Sequence, residues 1–95
     1  MIDILVSSIK EHPKVPALEQ MISTAAAGQN ILLALNALGF GGIWRTGKFA
    51  LNKAIGSFLK LDDNQEVLGY LYIGTPAGDN KKIPQLDPKD FVKKL

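Results

Sequence analysis

Gly39-Phe40-Gly41-Gly42-Ile43-Trp44-Arg45-Thr46-Gly47 decides how this 95-residue chain is read. Four glycines frame a Trp-Arg-Thr triplet. Gly39 closes a long apolar helical pattern and suits the left-handed residue that ends helices. Gly41 to Arg45 then reads as a short strand, and Thr46-Gly47 stops it. Glycines let backbone N–H groups come close to an anion. Arg45 adds a planar fork of donors, Thr46 adds a hydroxyl, and Trp44 could wall a pocket. A plainer reading stays open, in which the glycines are a cap and a turn, Trp44 is core and Arg45 is a surface charge. The spacing also resembles a dinucleotide loop, but that loop joins a strand to a helix start. Here the glycines follow a helix end, which excludes it.

Working upstream, the helical pattern runs from Ala17 to about Leu38. Leu18, Met21, Ile22, Ala25, Ala26, Gln29, Leu32 and Leu33 follow spacings of three and four. Ala25-Ala26-Ala27-Gly28 is a patch of small residues where another element can approach. From Ile31 the pattern is apolar all round, which predicts burial on every side. Pro13 and Pro16 hold an extended loop before the helix. Ahead of it, Ile2 to Ile9 reads as a strand, apolar on both faces near its start. Residues upstream are expected to lead into it. Downstream, a second helix is predicted from about Phe49 to Phe58, followed by a turn at Leu61 to Gln65. The clearest strand is Glu66 to Ile73, stopped by Gly74-Thr75-Pro76. Pro88 can start one helical turn in the last stretch. Strand, long helix, strand, helix, strand and tail is the alternation of an α/β or α+β layer fold.

Composition narrows the function. Eleven Lys/Arg against nine Asp/Glu give a net charge of +2, too weak to suggest nucleic acid. The chain has no cysteine, which removes disulfides, thiolate metal sites and thiol nucleophiles. With 46% hydrophobic and 21% charged residues it is too apolar for a disordered chain. Ile31 to Phe40 falls short of the roughly 20 residues a membrane span needs. No targeting pattern follows Met1. A cytoplasmic protein with no membrane partner is expected.

Other polar residues carry weaker chemistry. His12 is the one histidine, in a proline-flanked loop with no metal-ligand spacing, and reads as solvated or as a loop tether. Asp62-Asp63 and Asp87/Asp90 could pair as carboxylates, but capping or solvation is the better reading. Ser7, Ser8, Ser23 and Ser57 lack a Ser–His–Asp context. Tyr70 and Tyr72 read as sheet packing. No metal site and no catalytic residue can be named.

The glycine-framed segment resembles the motif of the small, single-domain NAD(P)H nitroreductases. Val67-Leu68-Gly69-Tyr70-Leu71-Tyr72-Ile73-Gly74-Thr75-Pro76 is similar to that family's late strand with its Gly-Thr-Pro ending. Lys14-Val15-Pro16-Ala17-Leu18-Glu19-Gln20 is similar to its entry into the long central helix. The resemblance implies an α+β nitroreductase fold, a homodimer, and FMN at the dimer interface. It carries Trp44, Arg45 and Thr46 over as cofactor-binding residues. It implies that NAD(P)H is the reductant and that a nitro-compound, a quinone or a similar small molecule is the electron acceptor. Family members are about twice as long, and their Arg-Arg-Ser-type phosphate motif has no counterpart here. Residues 1–95 are therefore expected to be the C-terminal half of a single nitroreductase-like domain, incomplete and inactive alone. The alternatives are a non-enzymatic dimeric interaction module and an inactive gene fragment. No residue present reads an adenosine ribose, so the choice between NADH and NADPH is not written in this stretch.

Overall fold

A computed structural model describes all residues 1–95. Strand β1 (Ile2–Ser8), helix α1 (Ala17–Ala37), strand β2 (Gly41–Arg45), a 3-10 turn (Gly47–Phe49), helix α2 (Lys53–Phe58), strand β3 (Gln65–Gly74) and a last 3-10 turn (Pro88–Asp90) follow in that order. The strands and the long helix lie where the sequence pattern places them, to within a residue at either end.

The segment from Phe49 to Phe58 is the exception. It is not one helix: the 3-10 turn ends at Phe49 and α2 begins at Lys53. Leu51 lies between them in the left-handed region, with φ 55°. Its N–H donates to the Val67 carbonyl at 2.8 Å, which ties the break to β3. Asn52 then restarts the helix, its side chain accepting from the Ala54 N–H at 2.9 Å. A long-range bond to the sheet has overridden a local helical pattern.

The three strands form an antiparallel sheet in the order β1-β3-β2. Each outer strand runs against β3, so β1 and β2 run parallel to one another. Joining them needs a crossover, and α1 supplies it across one face. Ile4 pairs with Tyr70 and Leu5 with Gly69, and the register then slips between Leu5 and Val6. On the other side Trp44 pairs with Leu71 and Arg45 with Tyr70. The pairing extends to Met1, whose carbonyl accepts from the Ile73 N–H at 2.8 Å.

Helix α1 turns one narrow stripe to the sheet. Met21, Thr24, Ala25, Gly28, Leu32 and Leu35 are the covered or part-covered positions, at helical spacing. Leu18, Ile22, Ile31 and Leu33 point away and are exposed. The all-round burial expected after Ile31 is not met within one chain: Leu33 keeps 60% of its surface and Leu38 72%. The helix ends with Gly39 at φ 83°. There Phe40 N–H bonds the Leu35 carbonyl at 2.9 Å and Gly39 N–H the Asn36 carbonyl at 3.1 Å, the two bonds of a Schellman cap.

Only 5 of 95 residues are fully buried, and just two, Val67 and Leu71, are large and apolar. The buried Ser7 hydroxyl accepts from Thr24 Oγ1 at 3.1 Å and pins β1 to α1. His12 acts as the loop tether read from its setting: its Nδ1 accepts from the N–H groups of Lys14 and Val15, both at 3.1 Å. Asp87 caps the last 3-10 turn through the Lys89 N–H. From Gly74 to Leu95 every residue is exposed. The radius of gyration is 16.4 Å, whereas a closed body of this length would have about 12 Å. No helix is long and apolar enough to cross a membrane.

Candidate functional site

The Trp-Arg-Thr triplet lies where β2 leaves the sheet. Alternation along the strand sends Trp44 to the α1 face and Arg45 to the opposite one. A Cβ on Gly42 would meet Leu32 Cδ2 at 2.9 Å, so β2 reaches α1 only because this residue has no side chain.

Trp44 is a wedge. A Cβ on Gly28 would meet its Cζ3 at 2.9 Å, and one on Gly69 would overlap its Nε1. The indole therefore fills the gap between helix and sheet through two positions that lack side chains. Its Nε1–H donates to the Leu68 carbonyl at 3.3 Å. Ring and donor are both committed within the chain, and Trp44 acts on the site by fixing the strand.

Arg45 and Thr46 are exposed. Thr46 adopts right-handed helical angles and Gly47 follows at φ 53°. Successive right- and left-handed residues turn neighbouring N–H groups toward one side, a concavity that suits anionic or strongly polar acceptors. Two cations flank it in sequence, Arg45 before and Lys48 after, with the Lys48 ammonium 5.3 Å from the Phe49 ring centre. The Tyr70 hydroxyl donates to the Phe49 carbonyl at 2.9 Å and staples the corner to the sheet. The corner thus offers a guanidinium, a hydroxyl and backbone N–H groups on a frame set by Trp44 and Tyr70.

Two contributors, Gly69 and Tyr70, were not singled out by sequence reading. A lone glycine inside a strand signals close backbone approach, and that signal is present at Gly69. For the Tyr70 staple the sequence holds no signal, since Phe49 is 21 positions away. Beside the corner, across from α1, lies an apolar hollow of about 440 Å³, lined among others by Ile2, Ile4, Phe49, Phe58, Tyr70 and Tyr72. A polar groove of about 430 Å³ runs past Asn52, Lys53, Asp62, Asp63 and Glu66 on another side of α2. Asp62 and Asp63 are exposed within it.

An α+β sheet crossed by one long helix, with a glycine-framed Trp-Arg-Thr corner, has clear counterparts among known proteins. Residues 2–75 match the model of the Nitroreductase family, and the chain belongs to that family. It is 34% identical over 91 residues to the Escherichia coli protein named "Putative NAD(P)H nitroreductase YdjA", covering 93% of this chain and 49% of that one. A Haemophilus influenzae protein of the same designation is 32% identical over 80 residues, covering 83% of this chain and 44% of that one. Among solved structures, a nitroreductase-like family protein from Bacillus cereus matches with a TM-score of 0.75 at 19% identity, over 94% of this chain and 46% of that one. Bacillus megaterium NfrA1 matches with a TM-score of 0.70 at 30% identity, over 81% of this chain and 31% of that one. The fold is nitroreductase-like. The chain spans about half the length of the curated relatives it matches.

Proposed function

We propose that this chain is the C-terminal half of one nitroreductase domain, working in the cytoplasm as part of an FMN-dependent NAD(P)H oxidoreductase. The observation that carries the reading is the exposed Arg45-Thr46-Gly47 corner, in a chain that belongs to the nitroreductase family. Its donor set suits the phosphate or the electron-rich ring atoms of a flavin mononucleotide. Arg45 would contribute charge-assisted hydrogen bonds, Thr46 a hydroxyl, and Gly47 a backbone that comes close without a side chain in the way. Trp44 would hold these groups in place. One exposed guanidinium is a weak grip on a phosphate, so the remaining contacts come from outside residues 1–95, and the isolated chain binds FMN weakly at best. A bound flavin would supply hydride acceptance from NAD(P)H and electron donation to a nitro-compound or quinone.

The outward stripe of α1 supports the homodimer. Leu18, Ile22, Ile31 and Leu33 form an exposed apolar row on the side away from the sheet. An isologous pair of such rows buries both at once.

A chimera tests the reading, made by joining the part of YdjA that lies outside the match to residue 1 of this chain. The expected product is yellow, retains FMN through gel filtration and oxidises NAD(P)H with a nitro-compound present. Arg45→Ala should weaken FMN binding about 10- to 100-fold, the range for a hydrogen bond to a charged group. A folded but colourless chimera that takes up no added FMN would overturn it.

A further inference from the structure

We infer that the apolar face of the sheet opposite α1 is the seat of the half of the nitroreductase domain that these residues do not supply; this rests on the C-terminal-half reading above. The two sheet faces are unequal. One is crossed along its length by the 21 residues of α1, while the other meets only the 6 residues of α2 at one end. What stays open there is apolar. Phe58 keeps 81% of its surface, and Ile2, Ile4, Phe49 and Tyr72 are all exposed. Every residue lining the hollow is hydrophobic. Its occupant must therefore present an apolar surface with no buried charge, as the stripe of an amphipathic helix does.

The length of the relatives says what that occupant is. This chain superposes over 94% of its length on 46% of the Bacillus cereus protein. More than half of that polypeptide must pack elsewhere around the same fold, and a domain is built by covering both faces of its sheet. A second copy docked on the outward stripe of α1 would leave this hollow open, because α1 lies on the other side of the sheet. The exposed tail does not fill it either, since no residue after Tyr72 lines it. The covering half thus differs in position from the dimer partner: one takes the β face, the other the helix.

Thiol labelling can read this directly, because the chain has no cysteine of its own. Ile4→Cys, Phe58→Cys and, as a control, Asp79→Cys are made in the 95-residue chain and in the chimera described above, with native cysteines of the YdjA part replaced. In the chain alone all three should react quickly with a maleimide. In the chimera, Cys at 4 and 58 should slow by about tenfold or more, as sites reached only through local opening, while position 79 stays fast. A Phe58→Asp variant gives a second measure. It should lower the melting temperature of the chimera and leave the isolated chain almost unchanged. If the chimera melts as one unit and retains FMN, yet positions 4 and 58 label as fast as position 79, this inference falls and the domain reading stands. If the two parts melt independently and no FMN is retained, the domain reading falls and takes the inference with it.

Discussion

Replacing Gly69 with alanine puts one methyl group where the Trp44 indole already lies. The added Cβ would overlap Nε1 and approach Cδ1 within 2.6 Å and Cε2 within 3.0 Å. The ring has little room to withdraw, because its Cζ3 edge is pressed toward the backbone of Gly28 on α1. Either the strand or the helix must move. Overpacking of this kind costs typically about 1–3 kcal/mol, and a neighbour held on both sides belongs at the upper end. Alanine recovers about 0.4–1 kcal/mol by restricting the unfolded chain. The net loss is about 2 kcal/mol, which for a chain of this size lowers the melting temperature by ~8–16 °C. Thermal and urea unfolding followed by circular dichroism measure it. A companion variant, Trp44→Leu, removes the ring, so Gly69→Ala in that background should cost far less. The two changes should couple by ~1 kcal/mol or more. If Gly69→Ala stays within about 0.5 kcal/mol of the parent, or the pair proves additive, the wedge described here is wrong.

Three further outcomes follow from other contacts. Ser7→Ala should cost only about 1 kcal/mol in urea unfolding, because Thr24 Oγ1 keeps the Gln20 carbonyl at 3.3 Å as an acceptor. Asn52→Ala removes the cap of α2 and should destabilise by about 1 kcal/mol, with hydrogen exchange quickening first at Ala54 and Ile55. Leu33→Asp, on the outward stripe of α1, should weaken self-association in sedimentation while leaving the helix content of the chain unchanged.

Sequence pattern alone located the strands and α1, because their signals are local. β-branched runs mark β1 and β3, three-and-four spacing marks α1, and Gly39 and Pro16 punctuate its ends. What stayed hidden was set by partners distant in sequence. The break before α2 depends on Leu51 bonding the Val67 carbonyl, which no local pattern announces. The face of α1 that meets the sheet was misjudged in part for the same reason. Ile22 and Leu33 are as apolar as Met21 and Leu32, and only the small surface of Gly28 and the reach of Trp44 decide which row turns inward. Likewise the triplet Trp44-Arg45-Thr46 was visible as a unit, yet strand alternation divides it. The indole serves the interior, and the guanidinium and hydroxyl are left facing solvent.

Trp44 is the sole tryptophan of the chain, and it sits between α1 and β3. Its ultraviolet emission is therefore a natural gauge of a single event, the seating of that helix on that sheet. Tyr70 and Tyr72 lie on the reverse side, close enough to pass excitation through one layer of backbone. A colour shift with loss of this transfer would report the helix lifting away, without any dye attached.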